Sequence, residues 1–189
     1  KVTIVPRGEA LGAAWYFPEK RQLTNREHML DEMCSTLGGR AAEEVFVKKV
    51  TTGASNDMMR ATNIARAMVT EWGMSDVLGP LHYGNNEGRG ESTFGPDIQK
   101  QIDSEVRKFV DDAYKRAVQL MEEYRDSIEK MTAMLMDKET IDAKDVESCF
   151  PEDIQARARA KWVNKDDKIE DLSVQSAGSA PVAGTVAVA

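Results

Sequence analysis

Residues 97–124 read DIQKQIDSEVRKFVDDAYKRAVQLMEEY. Ile98, Ile102, Val106, Phe109, Val110, Ala113, Ala117, Val118 and Met121 recur there at steps of three and four. That is the period of an α-helix with one apolar face, sustained too long for a strand. The same period continues on both sides. Downstream, Asp126 or Ser127 can cap a helix carrying Ile128, Met131 and Leu135, and Asp142 can cap a short one with Val146 inside, ending at Pro151. Upstream, Met58, Ala61, Ile64, Ala65, Met68, Val69 and Trp72 mark a helix with Ser55 as its N-cap and Gly73 at its end. Thr24 and Glu27 fit a capping box for a helix bearing Met29, Leu30, Met33 and Leu37. Gly38-Gly39 interrupts it, and a second short helix is expected from Arg40 to about Phe46. Gly79–Gly95 gathers glycines and asparagines and is expected to be a mobile loop. Only residues 1–17 depart from helix: Val2–Val5 and Ala14–Phe17 read as two short strands, joined through Pro6-Arg7-Gly8 and Leu11-Gly12 and closed by Pro18. The expected fold is mostly α, a helical bundle with a small β-hairpin at its N-terminal end.

A chain of 189 residues suits one domain of ordinary size. Residues 1–150 carry the periodic segments. Residues 151–189 change character: Lys161–Asp171 is dense in charge, and Ser173–Ala189 offers few large apolar groups to offset the entropy of ordering, so a disordered tail is expected. Charged residues are 30% and hydrophobic ones 41% of the chain, ordinary for a globular protein. A net charge of −7 argues against a nucleic-acid platform, which needs a basic face. No apolar run approaches the roughly 20 residues that span a bilayer. Cys34 and Cys149 are far apart and lack metal-ligand spacing, so two reduced, largely buried thiols are expected. The first residues already lie inside a strand pattern, which suggests an internal stretch of a longer protein.

By residue type alone, no complete catalytic site is visible. His28 and His82 fit no metal spacing, and Gly84–Gly90 lacks the Lys-Ser/Thr of a phosphate loop. No Ser or Cys has a base beside it in sequence. Thr51-Thr52-Gly53-Ala54-Ser55-Asn56-Asp57 places an acid in the first turn of a helix, where the dipole favours an ionised carboxylate. Such an Asp can ligate a metal or simply start a helix. Glu43 and Glu44 follow Gly38-Gly39-Arg40, and by themselves read as solvated carboxylates.

Taken together, Lys1–Gly8, Ala10-Leu11-Gly12, Gly38–Glu44, Thr51–Asp57 and Met68–Ser75, in that order, resemble the peptidase domain of the FtsH family. These are membrane-anchored, ATP-dependent zinc metalloproteases. The resemblance implies that Asp57 is the third zinc ligand. The other two ligands and the catalytic glutamate belong to an HExxH helix turn, and no HExxH occurs between Lys1 and Ala189. The chain thus resembles the part of the peptidase domain that begins just after that helix, with no catalytic residue of its own. The resemblance further implies that Glu43 supports a zinc-binding imidazole. Val2, Thr3, Ile4 and Val5 resemble a strand beside the catalytic helix, whose edge could hold a substrate extended; a plain core hairpin is the other reading. Zinc is the implied cofactor, with ATP and magnesium held by an AAA ATPase module outside this chain. The implied assembly is a homo-hexamer anchored by N-terminal membrane segments. It would degrade damaged or unassembled polypeptides at the bacterial inner membrane, with the peptidase on the cytoplasmic side, or at an organellar membrane. The alternative is a catalytically inactive helical scaffold for oligomerisation, and an HExxH upstream distinguishes the two.

Overall fold

The computed structural model describes residues 1–6, 12–15, 24–84 and 94–155. In chain order these form β1 (Val2–Thr3), β2 (Ala13–Ala14), α1 (Arg26–Thr36), α2 (Gly38–Ala42), a π-helical turn (Glu43–Val47), α3 (Ser55–Thr70), α4 (Pro96–Glu123), α5 (Arg125–Lys138), β3 (Thr140–Ile141) and α6 (Ala143–Ser148). The protein is mostly helical with a small antiparallel sheet, as the periodicity predicts. No helix among the described residues is long and apolar enough to cross a membrane. The chain forms two units, one from residues 15–129 and one from residues 1–14 with the segment after Lys130.

In the first of these, the apolar faces of α1, α3 and α4 bury one another. Ile102, Val106, Phe109, Ala113 and Ala117 of α4 are buried against Met29, Met33 and Leu37 and against Ala61, Ala65, Met68 and Val69. Small alanines on α3 and α4 let the helices approach, and methionines fill the irregular gaps between them. Met33, Met68 and Val69 have no exposed surface. Helix ends differ by one residue from expectation. Asn25, not Thr24, caps α1: its Oδ1 accepts from the His28 amide at 2.9 Å, and Asn is at least as good a cap as Thr. Ser55 is the first helical residue of α3 rather than its cap. Gly73 has φ +60°, and beside it the Met74 amide returns to the Met68 carbonyl at 2.9 Å, closing α3 as expected. Gly38-Gly39 does not break the chain; Leu37 is right-handed helical, and α2 begins at once. Past α3, the Ser75 hydroxyl donates to the buried Glu105 carboxylate at 2.7 Å while accepting from the amides of Val77 and Leu78. That single hydroxyl pins the turn after α3 to the middle of α4.

In the other unit β1 is the central strand of three, in the order β2-β1-β3. Val2 pairs with Ala14 and Ile141, and Thr3 with Ala13 and Thr140, all antiparallel. The antiparallel pair is thus present, over Val2–Thr3 and Ala13–Ala14 among the described residues, and a third strand joins it. The third strand is reached through Glu139, whose left-handed φ of +57° ends α5. The Glu139 carbonyl then accepts from the Ile4 amide and the Thr3 hydroxyl, both at 3.0 Å. Asp142 caps α6 as expected, in a reciprocal capping box with Asp145. Lys138 donates to Asp145 at 2.8 Å, joining the end of α5 to the start of α6. The turn at residues 7–11, Tyr16 to Pro18, most of the glycine-rich loop and the tail from residue 156 lie outside the described residues.

Candidate metal centre

The strip from Gly38 to Asp57 is built by a change of helical pitch. The α-helical turn Gly38–Ala42 widens into the π-helical turn Glu43–Val47, and Lys48 ends it in the left-handed region at φ +58°. Wide turns of this kind re-aim side chains and recur at functional sites. Here the turn brings Glu43 against Thr51. The Thr51 amide donates to Glu43 Oε2 at 3.2 Å, and its hydroxyl donates to Glu43 Oε1. The same hydroxyl accepts from the Gly53 amide at 3.1 Å. Hydrogen bonds from the Thr51 hydroxyl, first of all, and from its amide hold the Glu43 carboxyl below its ordinary range, with Arg40 adding a smaller push in the same direction. Arg40 Nη1 lies 3.8 Å from Glu43 Oε2, is buried, and makes no hydrogen bond among the described residues.

Asp57 stands in the first turn of α3 and is exposed. Its side chain makes no hydrogen bond or ion pair with another described residue. A Cβ built on Gly39 would meet its Oδ2 at 3.9 Å, so the carboxylate stands beside bare glycine backbone. Gly38 and Gly39 also line a cavity of about 480 Å³ with Asp31, Cys34, Arg116 and Met121. Burial pushes the Cys34 thiol up, which disfavours the thiolate a metal would need.

The other candidates fall elsewhere. His28 starts α1, its amide bonded to Asn25, and the His82 ring nitrogen lies 3.4 Å from the Glu71 carbonyl. Among the described residues no three His, Cys, Asp or Glu side chains form a group able to hold a metal ion. Glu44 is exposed, yet its carboxylate accepts from the Tyr114 hydroxyl of α4, a pairing that residue type alone does not reveal. Burial, and then that bond, raise the Tyr114 pKa. For the substrate-strand reading of Val2–Val5, the structure gives the surroundings of β1. β1 has a partner on each side, the Ile4 amide is taken by Glu139, and the Val5 amide by the Thr3 hydroxyl at 3.2 Å. Among the described residues, Val2 and Thr3 are thus paired on both sides, and the amides of Ile4 and Val5 are taken within the protein.

Thr51 is the participant that sequence reasoning missed, although it lies inside the quoted motif. A hydroxyl two residues before a glycine is the mark of a local turn, and the Gly53 amide makes that turn. Its hold on Glu43 depends on the π-helical pitch.

Zinc, which the family resemblance calls for, is bound by carboxylate oxygen, imidazole nitrogen or thiolate. Asp57 fits one such position: an ionisable oxygen donor, free of protein partners, beside a glycine whose missing side chain leaves its face clear. The described residues fit a single ligand and do not make a full set.

A family model described as Peptidase family M41 matches residues 1–149. The chain is 44% identical over 181 residues to the ATP-dependent zinc metalloprotease FtsH of Parabacteroides distasonis, covering 94% of this chain and 25% of that protein. It is 48% identical over 153 residues to the protein of that name from Cupriavidus metallidurans, covering 77% of this chain and 24% of that one. With the Bacillus subtilis protein of that name it shares 43% over 184 residues, or 92% of this chain and 28% of that protein. The chain thus spans about a quarter of the length of these relatives. With the family model covering all but the last part of the chain and these relatives spanning it at such identity, the chain belongs to peptidase family M41, as a stretch of the FtsH peptidase domain.

Proposed function

We propose that this chain is the distal part of the peptidase domain of an ATP-dependent zinc metalloendopeptidase, and that Asp57 is its contribution to the metal site. The observation that carries this reading is the Asp57 carboxylate: exposed at the start of α3, unengaged, and inside the Thr51–Asp57 motif. Bound zinc supplies a Lewis acid and a water whose pKa falls toward neutrality. The chain's own residues do the holding. Asp57 offers a carboxylate in the first turn of α3, and Glu43 supports the site, from which a hydrogen bond to a ligand imidazole would fix the ring and raise its basicity. The two histidines and the general base come from an HExxH segment outside this chain.

The wider setting follows from kinship with proteins about four times as long. It comprises an AAA ATPase module using ATP and magnesium, a homo-hexamer in which the helices from α4 onward serve as ring scaffold, and anchorage in a bacterial inner or an organellar membrane. Its substrates are damaged or unassembled polypeptides. The test is hydrolysis of an unfolded protein such as casein by the full-length protein with ATP and zinc. Loss of hydrolysis in Asp57→Asn supports the reading. Undiminished hydrolysis removes Asp57 from the site, and a wild-type protein that forms a ring but cleaves nothing establishes the inactive scaffold instead.

A further inference from the structure

We propose that Thr51 is a positioning residue for the metal, acting through Glu43 to set where Asp57 stands; this rests on the reading of Asp57 as a zinc ligand. Between the π-helical turn and α3, residues 48–53 are exposed, and Ala54 is the first to be buried again. Such a segment has little apolar contact to fix it, and its path must come from hydrogen bonds. Those present converge on one residue. Thr51 gives both its donors to the two oxygens of Glu43, and its hydroxyl also receives the Gly53 amide. Next, the Ser55 amide bonds the Thr52 carbonyl at 3.1 Å and the Met58 amide the Ala54 carbonyl at 3.0 Å, passing the restraint directly into the turn that carries Asp57.

Glu43 is itself anchored. It belongs to the turn whose Val45 is buried, and Arg40 stands on its far flank with a buried Nη1. Two oxygens facing two donors form a two-point clamp. A single bond would let the loop swing about it, whereas two fix its orientation as well. Among the described residues the Asp57 side chain has no bond of its own, so its placement depends on the first turn of α3 and on the chain that leads into it. Pre-placing a ligand spares the metal the cost of ordering it, which is how residues that touch no metal come to govern metal affinity.

The experiment uses the full-length protein, freed of metal and titrated with zinc against a chromophoric chelator, with the thermal midpoint measured alongside. Thr51→Val keeps the shape and removes the hydroxyl. It is expected to weaken zinc binding by about 10-fold, at the lower end of the roughly 10–100-fold effects of such supporting groups. Thr51→Ser restores the hydroxyl and is expected to restore the affinity. Because Thr51 is exposed, the thermal midpoint of the metal-free protein is expected to stay in place in both. Should Thr51→Val fail to fold, Thr51→Ala removes the same hydroxyl and is read in its place. Wild-type affinity in Thr51→Val, or in Thr51→Ala where that stands in, overturns the inference while Asp57→Asn still loses zinc. Equal weakness of Thr51→Ser and Thr51→Val also overturns it, since the hydroxyl is then not the group at work. Wild-type affinity in Asp57→Asn overturns the reading of Asp57 itself.

Discussion

Met33 of α1 and Asp57 of α3 belong to one folding unit and sit in opposite surroundings. Met33 has no exposed surface and is enclosed by the faces of α1, α3 and α4. Asp57 is exposed, and its side chain is bonded to no other described residue. Around Met33 the structure is over-determined: many apolar side chains each exclude water, and each is fixed by the others. In the strip from Arg40 to Asp57 the path of the chain rests on a few directional bonds. Changes in the core should therefore act on stability and leave the metal alone. Changes in the strip should do the reverse.

The largest effect expected is on the strip side. Asp57→Asn removes the ligand charge and should abolish zinc-dependent proteolysis, while urea unfolding of the metal-free chain stays unchanged. Met33→Ala should do the opposite, lowering stability by about 2–5 kcal/mol in the same urea experiment, through lost transfer energy and the cavity left behind. If it also costs zinc at temperatures where the chain is folded, the two regions are coupled and the comparison fails. Ser75→Ala tests a polar element inside the core. It removes the hydroxyl that faces Glu105, leaving a buried carboxylate without that donor, and should cost about 1–3 kcal/mol.

Smaller effects belong to the other unit. Asp142→Ala removes the α6 cap and should lower stability by about 0.5–2 kcal/mol. The Lys138–Asp145 pair should give the smallest change, visible as a pH dependence. The hydrogen bond from Lys138 lowers the Asp145 pKa, and the same bond raises that of Lys138. The contribution from Asp145 is therefore present above its ordinary pKa and lost as pH falls through the lowered folded value. That from Lys138 is present below its ordinary pKa and lost as pH rises through the raised one. Lys138→Met should lower stability slightly across the neutral region, where both groups are charged, and the difference from the wild type should vanish beyond the acid and alkaline limits; the drop is small, as expected of an exposed pair.

The same contrast explains what the sequence made legible. The burial of Ile102, Val106, Phe109, Ala113 and Ala117 follows from spacing, because a helix converts a period directly into a face. The α6 cap and the close of α3 near Gly73 were legible for a similar reason: both are local. The start of α1 shifted to Asn25 because two good caps stand side by side, and spacing does not choose between them. β3 escaped notice since two residues carry no period, and its place in the sheet depends on Glu139 adopting a left-handed turn. At the site, the position of Asp57 in a first helical turn was readable. The Thr51–Glu43 clamp was not, since it depends on a π-helical turn that no residue pattern announces. The pairings of Glu44 with Tyr114 and of Ser75 with Glu105 cross between elements, and polar partners so separated leave no periodic trace. The second partner of Val2 and Thr3 left no trace for the same reason, because it comes from Thr140 and Ile141, far along the chain.

The most direct measurement is the zinc content, by elemental analysis, of the full-length protein and of its Asp57→Asn variant, both purified without added metal or chelator. The account predicts roughly one zinc per chain in the wild type, since one catalytic site holds one ion. It predicts a near-complete loss in a variant that unfolds at the same urea concentration. An Asp57→Asn protein that keeps its full zinc complement would contradict the account at its centre.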